Sequence, residues 1–159
     1  MTATAKVHGN TGRKIVPLWG RRRLLPVDPT DRRVVYTFTR GQCHSFAFAM
    51  HELTGWPVYL LCSDYVWNDD DDGPTNGAEP VGDPESWGHA VVMAPSGQFV
   101  DIEGAWYLDE NDSWSDSYPV LVETPEQAID LIEWSCDEVV TPKAKPFAAA
   151  VLSNIRLPA

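Results

Sequence analysis

The run Gly41-Gln42-Cys43-His44-Ser45-Phe46-Ala47 sets a cysteine where strand-like composition gives way to helical spacing. A thiol in the first turn of a helix faces free backbone amides and the positive end of the helix dipole. Both favour the thiolate and draw its pKa below the free value of ~8.5. Taken alone, Cys43 reads as a small buried hydrophobe, the common role of a lone cysteine. A nucleophile needs more: a general base, and an acceptor that orients the base. His89 and Asp101 supply both.

The turn between them sets the geometry. In Ala94-Pro95-Ser96-Gly97-Gln98, proline suits the first corner of a type I turn and glycine the left-handed residue that follows, so Ala94 is expected to pair with Gln98. Val91 then lies opposite Asp101 and His89 opposite Glu103. His89 and Asp101 become diagonal cross-strand neighbours, with backbones ~7–8 Å apart and side chains within reach. Ala90, Val92, Val100 and Ile102 fill the other face. Glu103 is the rival acid, but Asp101 follows an apolar pair and sits deeper, where a carboxylate needs a partner to be tolerated.

The elements that must hold these residues follow from periodicity. Val34 to Thr39 is rich in β-branched and aromatic residues and reads as a strand. Phe46, Ala47, Met50, Leu53 and Thr54 recur at helical spacing, and Gly55 with Pro57 just beyond supplies the stop. Val58 to Cys62 is a short apolar strand, and residues 89–94 and 98–102 make the hairpin. Thr124-Pro125-Glu126-Gln127 resembles a capping box that opens a helix to about Cys136. Phe147 to Ile155 is read as a final strand, although its alanines also suit a helix. The expectation is an α+β fold with a cysteine-bearing helix packed on a small antiparallel sheet. A basic irregular arm (1–33) precedes a single domain (34–159) that carries an acidic insertion at 63–88.

A cysteine opening the first helix, then a histidine leading an apolar alternation, a short turn and an aspartate on the paired strand together resemble the papain-like superfamily. The order Cys, His, Asp is most similar to its transglutaminase-like, arylamine acetyltransferase-like and NlpC-type branches. The matching stretches are Gly41 to Pro57 and Gly88 to Gly104. The resemblance implies a papain-like core with Cys43 as nucleophile, His89 as base and Asp101 as orienter. No glutamine stands several residues before the cysteine, where papain-type proteases keep an oxyanion donor. The oxyanion hole then rests on the Cys43 backbone amide, with Gln42 a secondary candidate.

The chain of 159 residues is 43% hydrophobic and 22% charged, which places it among globular proteins rather than disordered ones. Three cysteines, Cys43, Cys62 and Cys136, with no C-x-x-C pair argue against a disulfide scaffold or zinc ribbon and fit a reducing cytoplasm. No apolar h-region stands in residues 1–30 and no later run reaches spanning length, so neither a signal peptide nor membrane insertion is expected. The net charge of −11 divides unevenly: residues 1–40 carry +7 and the remainder −18. The arm with Arg21, Arg22, Arg23, Arg32 and Arg33 is expected to lie on the acidic body or on a second copy rather than on nucleic acid, whose phosphates that body repels.

Within the insertion, Asn68, Asp70, Asp72, Gly73 and Glu79 approximate a calcium loop, but asparagine leads it and Pro74 removes an amide. A solvated loop with no cofactor is the reading preferred to calcium. Trp67, Trp87, Trp106 and Trp114 lie near the candidate site, and the first three are taken as walls of a substrate cleft. His44 and His51 read as surface histidines. Two functions remain open. One is a cysteine enzyme acting on a protein, peptide or small acyl substrate by amide, isopeptide or thioester hydrolysis, deamidation or transfer. The other is a non-catalytic acidic binding or inhibitor protein on the same fold.

Overall fold

The computed structural model describes residues 14–15, 23–67, 80–124, 127 and 141–158. Lys14–Ile15 (β1) and Arg23–Leu24 (β2) form an antiparallel pair. The chain then enters the core, where Leu25 and Val27 are buried. Asp31 caps the next element: its Oδ1 accepts the Arg33 N–H at 2.8 Å and opens a helix over Arg32–Thr39 (α1).

That helix replaces the strand expected from composition. Val34, Thr37 and Phe38 are its buried residues, at the spacing of one helical face. The Thr37 and Thr39 hydroxyls donate to the carbonyls four residues back at 2.8 Å. β-branched residues disfavour a helix only by tenths of a kcal/mol, roughly, which a cap and a buried face outweigh. Phe38 meets Phe46 and Phe147 with ring centroids 5.5 and 5.1 Å apart.

Cys43–Thr54 (α2) ends at Gly55, whose φ of 75° allows its N–H to donate to His51 O at 2.7 Å. Five strands follow in one antiparallel sheet: Val58–Cys62 (β3), Trp87–Met93 (β6), Phe99–Asp101 (β7), Gly104–Trp106 (β8) and Tyr118–Val122 (β9), in the order β8-β7-β6-β3-β9. Tyr65–Trp67 (β4) and Pro80–Gly82 (β5) pair separately, within the span read as an insertion. Residues 68–79, with the calcium-loop pattern, lie outside the described residues. So does the expected 124–136 helix, except that Thr124 Oγ1 accepts the Gln127 N–H at 3.3 Å.

Thr141–Asn154 (α3) is a helix, where a strand was expected from Phe147 onward. Ala144, Phe147, Ala148 and Val151 are its buried positions and pack against α2. Their i, i+3, i+4, i+7 spacing is helical, and that burial offsets Pro146 within the helix. α2 lies between the sheet, at β6, and the helices α1 and α3. Residues 43–50 are therefore buried all round rather than on one stripe. The opposite sheet face carries Leu61, Val91 and Phe99, covered by Trp106, Leu108 and Trp114. Among the described residues no helix is long and apolar enough to cross a membrane.

Candidate active site

Turn chemistry fixes the hairpin. Ala94 N–H donates to Gln98 O at 2.8 Å, Gly97 N–H to Ala94 O at 2.9 Å, and Gly97 has φ 83°. Val92 pairs with Val100 and Met93 with Phe99, the register expected from the turn. β7 ends at Asp101, and Ile102 and Glu103 turn the chain into β8. Glu103 is thus on an exposed turn, and its backbone N–H donates to Asp101 Oδ1 at 2.8 Å.

That contact leaves Asp101 Oδ2 for the imidazole. His89 Nε2 lies 2.9 Å from it, with both side chains nearly inaccessible. An imidazole protonated at Nε2 donates into the carboxylate, which fixes the ring and favours its charge. Trp114 stacks on the other side, its ring centroid 4.8 Å from that of His89 and the planes 10° apart. Its loop is closed by Asn111, whose carbonyl accepts from Trp114 N–H at 2.9 Å and Ser115 N–H at 2.8 Å. A register shift of β6 against β3 gives Gly88 no partner on that strand, just before His89. Such a bulge re-aims neighbouring side chains. Any Cβ on Gly88 would stand 3.3 Å from the Trp114 ring, so glycine lets the indole close over this segment.

Cys43 begins α2 and is buried. Burial alone would push its thiol pKa up. Hydrogen-bonding influence and positive charge from the His44 and His89 imidazoles outweigh it and bring the pKa down to about 6. Burial would likewise lower His89, but Asp101 and the Cys43 sulfur raise it to about 10. The two shifts together describe a thiolate beside an imidazolium at neutral pH. The imidazoles act on the sulfur from outside close hydrogen-bond geometry: His89 Nδ1 and both His44 ring nitrogens are buried without a partner in such geometry.

A cleft of about 660 Å³ opens on this pair. Cys43, His89, Trp87 and Trp114 line it, together with Thr39, Arg40, Gly41, Gly88, Glu103 and Ser113. Trp106 packs against Phe99, with centroids 5.6 Å apart, and is not among the lining residues. Trp67 ends β4 in the separate ribbon. Gln42 is 1% exposed and turned inward, where its Oε1 accepts the Ser45 hydroxyl at 2.8 Å, so it does not line the cleft. The Cys43 backbone N–H lies in the first turn of α2, where N–H groups lack partners within the helix.

His44 is a correction to the expected surface histidine: it is fully buried and meets Trp87 edge-on at 6.3 Å. His51 is half-buried, with Nδ1 2.7 Å from Trp56 O. Sequence reasoning passed over His44 and Arg40 as site residues. The signal for Arg40 was its place three residues before the cysteine, and for His44 the adjacent position on a helix that turned out to be central. Among the described residues no group of three or more His, Cys, Asp or Glu could hold a metal ion. No family model, curated protein or solved structure matches this chain.

Proposed function

We propose that the protein is a cysteine-dependent acyl-transfer enzyme with a papain-like arrangement, in which Cys43 is the nucleophile, His89 the proton carrier and Asp101 the orienter. The observation that carries the reading is the buried His89–Asp101 contact of 2.9 Å beside a thiol brought down to about 6. A structural cysteine in an apolar pocket would have its pKa raised, as burial raises Cys62 to about 11.

The thiolate attacks an amide or thioester carbonyl and forms a C–S bond, and the oxyanion is received by the Cys43 backbone amide. Collapse expels the amine or thiol, which takes the Nδ1 proton of the His89 imidazolium. An acyl thioester remains. Neutral His89 then accepts a proton from water or an incoming amine as that nucleophile attacks, and the thiolate departs. Hydrolysis, deamidation and transfer share these steps and differ only in the second nucleophile. The substrate is a protein, a peptide or a small acyl compound.

Iodoacetamide labelling at neutral pH, resolved by peptide mass spectrometry, tests the reading. Cys43 is expected to react far faster than Cys62 and Cys136, and His89→Ala to slow it. Equally slow labelling of all three cysteines would favour a binding protein instead.

A further inference from the structure

Arg40 and Glu103 both line the cleft over Cys43, and among the described residues they are its sole Lys or Arg and its sole carboxylate. Both side chains are exposed. They do not pair with each other, and among the described residues neither has an ion-pair partner, whereas Arg33 pairs with Asp31 and Lys145 with Glu52. The cation stands at the end of α1 and the anion on the turn between β7 and β8, so opposite charges face one opening from separate walls.

The root of Arg40 is held in place. Its backbone N–H donates to Tyr36 O at 2.9 Å, Gly41 turns the chain at φ 128°, and α2 begins at Cys43. In a chain of net charge −11, a guanidinium has carboxylates in excess to choose from, yet among the described residues none pairs with this one, which lines the same cleft as the thiol.

We propose that Arg40 selects the acyl group that reaches Cys43, by receiving a carboxylate carried close to the scissile carbonyl, as on an acidic peptide residue. The inference rests on the acyl-transfer reading and names its substrate class. A guanidinium takes a carboxylate through two parallel N–H donors. Glu103 repels a second carboxylate, so the acidic group is admitted on one side only. The acidic body opposes anions at long range, but salt screens that repulsion beyond ~8 Å, while contact with Arg40 lies inside that distance.

Two alkylating probes separate charge from reactivity. With iodoacetate or iodoacetamide the Cys43 thiolate forms a thioether and iodide leaves, so the reagents differ in their charge. The ratio of the two rates is measured at low salt in the full-length protein and its variants. Arg40→Ala is expected to lower the iodoacetate preference about three- to tenfold, the size of one charge acting across a few ångströms of partly solvated space. Each variant's own iodoacetamide rate is the denominator, so a change in thiol reactivity itself cancels from the ratio. Arg40→Lys keeps most of the preference, Glu103→Gln raises it, and salt shrinks all three differences. Fast iodoacetamide labelling with the same ratio in wild type, Arg40→Ala and Glu103→Gln overturns the inference alone. Iodoacetamide labelling of Cys43 as slow as that of Cys62 overturns the acyl-transfer reading, and the inference falls with it.

Discussion

Ionisation of Cys43 is governed by what the two imidazoles do to a buried sulfur, and each shift has a measurable edge. With the thiol at about 6 and His89 at about 10, the labelling rate should climb with pH through a midpoint near 6 and hold level until His89 loses its proton near 10. Cys62, raised to about 11, stays slow across that range. Asp101→Asn removes a charge that supports the imidazolium, so the upper edge of the Cys43 profile moves to lower pH. The same shift bears on stability. A group whose folded pKa is raised contributes stability that is complete below its ordinary value of 6.5 and lost as pH rises through about 10. The melting-temperature difference between wild type and His89→Ala should therefore be larger at pH 6 than at pH 10, and a difference that grows with pH would contradict the charged imidazole.

Two elements decide how firmly His89 is held. The loop with Trp114 lies on the sheet face away from α2, and its indole covers the imidazole at 4.8 Å. Because a Cβ at Gly88 would come within 3.3 Å of that indole, Gly88→Ala should displace the ring. The expected result is a change in tryptophan fluorescence with slower Cys43 labelling, at a stability cost of about 1–2 kcal/mol, the lower part of the range for overpacking. A variant that shifts neither signal would show that the stacking does not position His89. At α1, Asp31→Ala removes the cap and should cost about 1 kcal/mol in chemical denaturation, because Arg40 and the turn into α2 follow from that helix.

At the scale of the whole molecule, packing fixes the role of the last residues of the basic arm. Leu25 and Val27 belong to the main core, so the end of the arm is structural. Leu25→Ala should lower stability by about 2–4 kcal/mol at any salt concentration, as expected for a large-to-small core change. Joint replacement of Arg21, Arg22 and Arg23 by glutamine should act through ion pairing with the acidic body or a second copy. Its effect, read by thermal melting and by sedimentation, should fade as salt rises. A stability loss independent of salt would show that those residues pack rather than pair.

What local chemistry determines was legible in the residues themselves. Pro95, Ser96 and Gly97 dictate a turn through their own φ preferences, that turn sets the register, and the register puts His89 diagonal to Asp101. Gly55 stops α2 for the same local reason. Val34 to Thr39 and Phe147 to Ile155 were misread because their conformation is decided by what they pack against. Phe38 meets both Phe147 and Phe46 of α2, and that packing selects helix over a β propensity worth only about 1 kcal/mol. The same centrality of α2 buries His44, which no single amphipathic stripe could foretell. The preference for Asp101 over Glu103 was legible in the apolar pair before the aspartate, and the structure adds a further reason: β7 ends at Asp101, and the turn that follows carries the glutamate outward. Tertiary structure alone decided which tryptophans reach the cleft. Trp87 and Trp114 do, through a bulge and a loop closure, while Trp106 packs against Phe99 on the sheet. Contacts between segments far apart in sequence are set by the collective filling of space, and that information is not local to any of them.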